Sequence, residues 1–245
     1  MEFFQNVIEY FSQEGIAIFK LPLIAVLSYL LGSFNTSIVV SKCILKKDIR
    51  KYGSGNAGFT NAVRSMGIKL AMLVFAGDIG KCAIACLLGQ LIYCGNMSFV
   101  DGAAGRLLAG AFVFFGHIYP LFFRFKGGKG ALTLAVTVAM FDWRIFLIGL
   151  AVFLIIVFIT KFISLGSIVI GFLFPIAVFV FSRTDLSSLD MSIGYTVIAA
   201  IMGGTLIIKH RTNIVRLFKG TESKFSFKGK PLIEGADKVE LTKKK

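Results

Sequence analysis

The stretch IFLIGLAVFLIIVFI (Ile145–Ile159) runs for fifteen residues without a charged or strongly polar side chain. A transmembrane helix needs about 20 mainly apolar residues, and Asp142-Trp143-Arg144 before the stretch and Thr160-Lys161 after it supply polar and aromatic ends. Such ends are typical of a helix that meets the two membrane surfaces. The stretch therefore predicts a membrane-spanning helix.

The composition of the whole chain agrees with this prediction. The 245 residues are 56% hydrophobic and include 26 phenylalanines, and the mean hydropathy is +0.80. One soluble domain of this size cannot bury so much apolar side chain. The sequence indicates an all-α integral membrane protein.

Seven apolar stretches are candidate membrane spans. They are Leu21–Val40, Ile68–Tyr93, Gly105–Phe123, Ala131–Phe141, Ile145–Ile159, Ile163–Phe181 and Ile193–Ile208. The fourth stretch is too short to span the bilayer unless it extends into the glycines before it or into Asp142–Arg144 after it.

The distribution of basic residues predicts the orientation of these seven helices. Lysine and arginine accumulate in cytoplasmic loops; the loops after spans one, three, five and seven hold 21 of them, the opposite side holds 4, and Lys69 and Lys81 lie inside span two. The amino terminus is therefore expected outside and the carboxyl terminus in the cytoplasm. The net charge of +14 reflects this asymmetry and does not predict a nucleic-acid partner.

The two ends of the chain lie outside the predicted spans. The start, MEFFQNVIEYFSQEG, lacks the basic region and cleavage site of a signal peptide, and its apolar positions fit a short helix in the outer membrane interface. Residues 1–222 are predicted to form one seven-helix membrane domain. Residues 223–245 are polar and Lys-rich, which predicts a mobile cytoplasmic tail.

The remaining polar residues collect in four stretches at the predicted cytoplasmic ends of the spans. These are GSGNAGFTNAVRSMG (Gly53–Gly67), GHIYPLFFRFKGGKG (Gly116–Gly130), KFISLGS (Lys161–Ser167) and KHRTNIVRLFKGTE (Lys209–Glu222). Four separate loops that converge on one face indicate a functional site. The four cysteines and two histidines have no metal-binding or disulfide spacing, so no metal is predicted.

The first stretch has two interpretations of equal weight. Glycines at alternating positions from Gly53 to Gly58 allow backbone N–H groups to turn toward an anion, and Arg64 offers a planar fork for a phosphate. The alternative is a tight loop before a helix that Thr60 or Asn61 caps.

The second stretch contains FKGGKGAL (Phe125–Leu132). It is not a Walker A loop, because Phe123 and Gly130 stand where a glycine and a serine or threonine are required. What remains is a flexible backbone, one ammonium group at Lys129 and a helix amino terminus that favours an anion. Basic membrane anchors are the alternative, but anchors do not need three glycines.

The last two stretches add pairs that share a helix face. His210 and Asn213 are spaced i and i+3, as are Ser164 and Ser167. Arg216 and Lys219 fit a juxtamembrane segment that touches anionic lipid. Asp78 and Lys81, also i and i+3, are expected to form a local pair that lowers the cost of two charges inside the bilayer.

The four stretches, in this order, resemble the signature loops of the bacterial acyl-phosphate:glycerol-3-phosphate acyltransferases (PlsY type). The motifs GSGNAGFTN with Arg64, GHIYP with FKGGKG, KFISLGS and HRTNIVRL with KGTE carry the resemblance. Three departures are Phe59, where the family usually has alanine, Ala131-Leu132-Thr133 for Val-Ala-Thr, and Phe34-Asn35 for Ile-Pro.

The resemblance implies a seven-helix enzyme of the bacterial cytoplasmic membrane with its site on the cytoplasmic face. It would transfer a fatty acyl group from acyl phosphate to the 1-hydroxyl of glycerol 3-phosphate, giving lysophosphatidic acid and phosphate in phospholipid synthesis. No cofactor is implied. The implied partners are the two substrates, membrane lipids and the enzyme that supplies acyl phosphate.

The matching positions give the expected site. The expected catalytic residues are His210, Ser54, Lys129 and Asn213. The expected phosphate-binding residues are Arg64, Lys129, Ser54, Gly55, Asn56, Thr60, Asn61, Gly128 and Ser167. Phosphate is a good leaving group, so direct attack without an acyl-enzyme is expected, with either His210 or a substrate phosphate as the base.

Two other classes of function are alternatives. A transporter for a phosphorylated metabolite would usually have internal repeats and midplane binding groups, which the sequence lacks. A lipid-binding scaffold would leave the glycine loops without a use.

Overall fold

The computed structural model describes residues 19–95, 102–185, 189–226 and 230–239, and the regular structure in these ranges is helical. The interfacial helix predicted near the amino terminus lies outside the described residues. The helices are α1 (residues 19–33), α2 (Thr36–Leu45), α3 (Phe59–Cys94), α4 (Ala103–Ile118), α5 (Ala131–Phe141), α6 (Trp143–Thr160), α7 (Ile163–Asp185), α8 (Leu189–Lys209) and α9 (Arg211–Phe218).

Six helical stretches in the described ranges are long and apolar enough to cross a membrane. They are Phe19–Leu45, which contains α1 and α2, and Phe59–Cys94, Ala103–Phe123, Trp143–Thr160, Ile163–Thr184 and Leu189–Lys209. The predicted fourth span, Ala131–Phe141, forms α5 with the expected bounds, but its eleven residues are too few for a full crossing. The prediction of an all-helical membrane protein is confirmed.

The first long stretch is broken at Phe34 and Asn35. Asn35 begins α2 as its N-cap, because its Oδ1 accepts a hydrogen bond from the N–H of Ile38 at 3.1 Å. The break also frees carbonyl groups at the end of α1. Lys81 of α3 donates to the carbonyls of Gly32 and Phe34 at 3.3 and 3.1 Å, so the exposed backbone is satisfied inside the bundle.

Lys81 also belongs to a buried charge cluster. Its ammonium lies 2.8 Å from Asp78 Oδ1 and 3.1 Å from His117 Nδ1, and Thr36 donates to the same carboxylate oxygen at 3.0 Å. The predicted Asp78–Lys81 pair is therefore present, but it joins α2, α3 and α4 instead of acting within one helix. An ammonium has only donors, so His117 Nδ1 accepts and the ring proton lies on Nε2.

The helix α3 begins earlier than the predicted span and has a break near its start. Gly67 has φ 79° and ψ 169°, so residues from Phe59 to the break form a short helix before the long apolar part. Gly58, with no side-chain hydrogen bond, is the N-cap. The predicted cap at Thr60 or Asn61 is therefore wrong, because both residues lie inside the first turn.

Close packing of small residues holds the bundle together. A Cβ atom on Gly89 of α3 would lie 2.5 Å from the carbonyl oxygen of Gly105 in α4, and one on Gly203 of α8 would lie 2.1 Å from that of Gly171 in α7. Such contacts are typical of membrane helices. On the outside, Phe158 and Ile155 of α6 are 77% and 58% exposed, as expected of lipid-facing side chains.

Part of the carboxyl-terminal tail is packed against the bundle. Ile233 and Ala236 are buried in an apolar cluster with residues of α2 and α3. The N–H of Ile233 donates to the carbonyl of Ser65 at 2.9 Å. The described residues 230–239 thus contact the bundle, and the mobility of residues 223–245 as a whole stays a prediction.

Candidate active site

The glycine loop between α4 and α5 folds back along the end of α4. The N–H groups of Gly127 and Gly128 donate to the carbonyls of Ile118 and His117 at 3.2 and 3.1 Å. A Cβ on Gly128 would lie 2.1 Å from His117 Nε2 and 2.9 Å from the carbonyl oxygen of Ala57. These two glycines are therefore required for close packing, and the N–H of Gly128, expected to bind phosphate, is used within the protein.

This fold-back places Lys129 in contact with two other parts of the site. Lys129 Nζ donates to Asn213 Oδ1 in α9, and Asn213 Nδ2 donates to Glu222 Oε1 at 2.6 Å. Ser164 at the start of α7 donates to the same oxygen at 2.7 Å. Arg216 Nε lies 2.6 Å from Glu222 Oε2. We call Lys129, Ser164, Asn213, Arg216 and Glu222 the Glu222 cluster.

The charges of the Glu222 cluster shift one another's pKa. Burial lowers the pKa of Lys129 to about 8, the positive charge of Arg216 acts in the same direction, and Glu222 opposes them. Burial alone would raise the pKa of Glu222, but hydrogen bonds from Ser164, Asn213 and Arg216 outweigh it and hold that pKa below its usual value. At neutral pH the cluster keeps an ammonium, a guanidinium and one carboxylate.

His210 lies next to this cluster at the junction of α8 and α9. Its Nδ1 is 2.8 Å from the carbonyl oxygen of Leu206, and a carbonyl only accepts, so Nδ1 carries the proton and Nε2 keeps its lone pair. Burial lowers the pKa of His210 to about 4, and the positive charge of Lys129 adds to this effect. The imidazole is therefore neutral at physiological pH and presents an acceptor.

Asn61 holds the glycine loop before α3 in one conformation. Its Oδ1 accepts from the N–H of Ser54 at 2.9 Å, and its Nδ2 donates to the carbonyls of Tyr52 and Asn56 at 3.1 and 2.9 Å. The N–H of Gly55 donates to Tyr52 as well. Asn61 is thus buried as a structural residue, and the Ser54 and Gly55 N–H groups do not point to an anion as the nest interpretation expects.

Anion-binding groups remain at the two helix starts beside this loop. Gly58 is the N-cap residue of α3 and Gly130 is the N-cap residue of α5. Neither helix has a side-chain hydrogen bond at its cap. The first N–H groups of a helix have no partner within the helix and favour an anion. Because Gly128 packs on Ala57, these two helix amino termini lie side by side.

The other expected site residues have different placements. Among the described residues, the Ser54 hydroxyl and the Arg64 guanidinium have no hydrogen-bond partner; Ser54 and Gly55 are exposed, and Asn56, Thr60 and Arg64 are half-buried. Ser167 is buried and donates to the carbonyl of Ile163 in its own helix. The structure thus joins Lys129, Asn213 and His210, while the first loop reaches them through the Ala57–Gly128 contact.

Known proteins are similar to this chain along most of its length. Residues 22–220 match the family model described as glycerol-3-phosphate acyltransferase. The glycerol-3-phosphate acyltransferase of Thermoanaerobacter pseudethanolicus is 37% identical over 206 residues, which cover 84% of this chain and 96% of that protein. The chain belongs to the glycerol-3-phosphate acyltransferase family.

Solved structures support the same assignment. The crystal structure of PlsY, an integral membrane glycerol 3-phosphate acyltransferase, in its glycerol 3-phosphate form has a TM-score of 0.69 and 32% identity. Its lysophosphatidic acid form has a TM-score of 0.66, and in both cases 84% of this chain and 96% of the other are covered. The protein is a multi-pass membrane enzyme that acylates glycerol 3-phosphate, and this reaction is a step in phospholipid synthesis.

Three residues in or beside the candidate site are not predicted as site residues from the sequence. Glu222 is a lone carboxylate in a basic stretch, which is a signal for an organising role. Arg216 was expected to touch lipid but pairs with Glu222. Arg50 was counted as a cytoplasmic charge, yet its guanidinium donates to the carbonyls of Phe123 and Lys126 at 3.0 and 3.1 Å and ties the two glycine loops together.

Proposed function

We propose that this enzyme transfers a fatty acyl group from acyl phosphate to the 1-hydroxyl of glycerol 3-phosphate by direct attack, without an acyl-enzyme. The observation that carries the proposal is the chain of contacts from Lys129 through Asn213 and Glu222 to Ser164, which joins three parts of the chain beside two uncapped helix amino termini. Each substrate has one phosphate group. The glycerol 3-phosphate and lysophosphatidic acid forms of PlsY support this substrate and this product.

The two phosphates are bound by different groups of the site. Lys129 and the amino terminus of α5 bind the phosphate of acyl phosphate. The phosphate of glycerol 3-phosphate is bound by Arg64, the Ser54 hydroxyl and the amino terminus of α3. Asn213 positions the Lys129 ammonium, because its oxygen accepts from Lys129 while Glu222 holds its amide group in one orientation. Thr60 and Asn56 line the same region as secondary donors, and Asn61 supports them by fixing the loop, whereas the Ser167 hydroxyl donates within α7.

The chemical step moves one proton and exchanges two bonds. The 1-hydroxyl oxygen attacks the acyl carbonyl carbon, the ester C–O bond forms, and the C–O bond to the leaving phosphate breaks. Two acceptors are available for the proton of the attacking hydroxyl, His210 Nε2 and a substrate phosphate oxygen. The phosphate oxygen accepts the hydrogen bond and takes the proton, because its pKa of about 6 makes it a stronger base than an imidazole of pKa about 4.

The site is proposed to face the cytoplasm, with the chain crossing the bilayer seven times. The loops after α2, α4, α6 and α8 meet at one end of the bundle, and 21 basic residues lie on the side of these loops. The short α5 rises about 16 Å and α6 about 27 Å. The two helices connect at Asp142, on the side opposite the site. Because α5 is the shorter helix, its first residue lies below the proposed cytoplasmic surface, and the folded-back segment with Gly127 and Gly128 provides the rest of the crossing.

A recessed phosphate site suits an acyltransferase of the bacterial cytoplasmic membrane. Water-soluble glycerol 3-phosphate enters from the cytoplasm, while the acyl chain lies among the apolar helices. Acyl phosphate is labile and needs a nearby source, so the enzyme that supplies it is the proposed protein partner.

The donor assay tests this proposal directly. Purified protein in lipid nanodiscs is given labelled glycerol 3-phosphate with acyl phosphate, acyl-CoA or acyl carrier protein in parallel. Labelled lysophosphatidic acid is expected with acyl phosphate only. Product formation with acyl-CoA but not acyl phosphate would overturn the donor assignment, and uptake of unmodified glycerol 3-phosphate into vesicles would favour a transporter.

Cysteine labelling tests the orientation. Cys43 is exposed and is replaced by serine, and Lys126→Cys then reports on the exposed loop beside Lys129. A membrane-impermeant maleimide should label Lys126→Cys in inside-out vesicles and not in intact cells. Labelling from outside intact cells would reverse the topology.

A further inference from the structure

The carboxyl-terminal segment 230–239 lies beyond the residues that match the family, which end at 220. It nevertheless joins the apolar cluster under the first glycine loop, where Ile233 is 1% and Ala236 6% exposed. The cluster contains Ile38 of α2, Ile49, Ala57 of the loop and Ala62, Val63, Met66, Leu70, Ala71 and Val74 of α3, with Phe59 and Phe225 packed against it. The segment is therefore an integral part of this side of the bundle.

The backbone of the segment contacts α3 at its break. The φ and ψ angles of Gly67 end the regular helix there, and the carbonyls in the last turn of a helix lack partners within it. The N–H groups of Leu232 and Ile233 donate to the carbonyls of Arg64 and Ser65 at 3.4 and 2.9 Å. The segment thus acts as an external cap for the turn that carries Arg64.

The Arg64 side chain has no other support in the described part of the chain. Its guanidinium makes no hydrogen bond or ion pair there, so its position follows from its backbone. We propose that segment 230–239, anchored by Ile233, is a positioning element that sets Arg64 for the phosphate of glycerol 3-phosphate. This inference rests on the proposed function of Arg64.

The test compares two apolar neighbours that differ in burial. Ile233→Asp places a charge in the cluster and should release the segment, whereas Leu232→Asp changes a side chain that is 53% exposed and retains its backbone contact. Both full-length variants, and the conservative Ile233→Val, are assayed in nanodiscs with acyl phosphate. Release is checked by the rate of maleimide labelling at Ala236→Cys, which should be slow in the parent and fast with Ile233→Asp.

We expect Ile233→Asp to raise KM for glycerol 3-phosphate about 10-fold, because Arg64 loses its position and its contact with the phosphate weakens. A tenfold change corresponds to about 1.4 kcal/mol of binding free energy. The turnover number and KM for acyl phosphate should stay within about twofold. Leu232→Asp and Ile233→Val should resemble the parent. In an Arg64→Lys background, Ile233→Asp should add little, since both changes act through one guanidinium.

The outcomes separate this inference from the proposed function. A parent that makes no lysophosphatidic acid overturns the function, and unchanged KM in Arg64→Lys overturns the role of Arg64 and the inference with it. If Arg64→Lys raises KM while the released Ile233→Asp segment leaves it unchanged, the inference alone is wrong. Equal losses in turnover and both KM values, with a lower unfolding temperature, would mean that the segment only stabilises the fold.

Discussion

Two clusters in this molecule are each built around one carboxylate, and they differ in what completes them. Asp78 is surrounded by Lys81, Thr36 and His117, and the Lys81 ammonium also satisfies two carbonyls at the break between α1 and α2. In the Glu222 cluster, Lys129 has a single hydrogen-bond partner in the described ranges, the Asn213 oxygen. The Asp78 cluster is closed, and the Glu222 cluster retains donors for a ligand.

The difference favours the Glu222 cluster over the Asp78 cluster as the proposed substrate site. A charged group inside a membrane bundle must be paired, and a pair that is fully occupied has no capacity for substrate. Lys129 is half-buried at the bundle end, with a helix amino terminus beside it. His117 links the clusters, because its ring contacts Lys81 on one side and packs on Gly128 on the other. The closed cluster therefore supports the open one.

The largest effect should come from breaking the closed cluster. Lys81→Met leaves the Asp78 carboxylate buried and unpaired and removes the donor to Gly32 and Phe34, which should cost about 3–5 kcal/mol of folding free energy. Combining it with Asp78→Asn should recover much of this loss. Thermal unfolding in detergent measures both; equal destabilisation of the single and double variants would mean that the ion pair does not carry the effect.

The next effect separates two lysines in one loop. Lys129→Ala should lower kcat/KM about 10- to 150-fold, since a charge-assisted phosphate contact is worth about 1.5–3 kcal/mol. Lys126→Ala should stay within about twofold, because its side chain is exposed and its contact with Arg50 uses the backbone carbonyl. Similar mild losses in correctly inserted protein would make the loop an electrostatic anchor.

The sequence predicted the open cluster better than the closed one. Glycines, a lysine and the His210/Asn213 spacing predict a phosphate site from local sequence, and the structure places Lys129, His210 and Asn213 close together, while their roles stay predictions. The role of Lys81 depends on a break in another helix, 47 residues earlier for its contact at Phe34, and no local pattern encodes it. Asn35, which replaces the family's usual proline, keeps the break by capping α2 with its side chain.

The fold was predictable where apolar length decides it. All six long helical stretches in the described ranges begin or end within two residues of a predicted span, and α5 has its predicted bounds. The break in α3 at Gly67 and the docked segment 230–239 were not predicted, because the first depends on a glycine with positive φ and the second on tertiary contacts of single apolar residues, Ile233 and Ala236.

A smaller effect is expected at the second phosphate contact. Arg64→Lys replaces a planar fork, which binds a phosphate through two hydrogen bonds, by a point charge. It should raise KM for glycerol 3-phosphate about 10-fold and change KM for acyl phosphate little. Kinetics with each substrate varied separately measure this, and a larger change for acyl phosphate would exchange the two proposed phosphate sites.

The smallest effect, and the sharpest test of the open cluster, is the pH dependence of phosphate binding. The pKa of Lys129 is lowered to about 8 by burial and by Arg216, while Glu222 opposes the shift. The ammonium is present below this pKa and lost above it, so KM for acyl phosphate, whose phosphate Lys129 is proposed to bind, should rise a few-fold as the pH passes from about 8 to 9. His210, with a pKa of about 4, stays neutral over this range and contributes nothing to the rise.

Glu222→Gln removes the opposing charge and should move the rise to lower pH, whereas Arg216→Gln removes a repelling charge and should move it to higher pH. Lys129→Arg should abolish it, because a guanidinium does not titrate there. Displacement in the same direction by both charge-removing variants would mean that a group other than Lys129 controls phosphate binding.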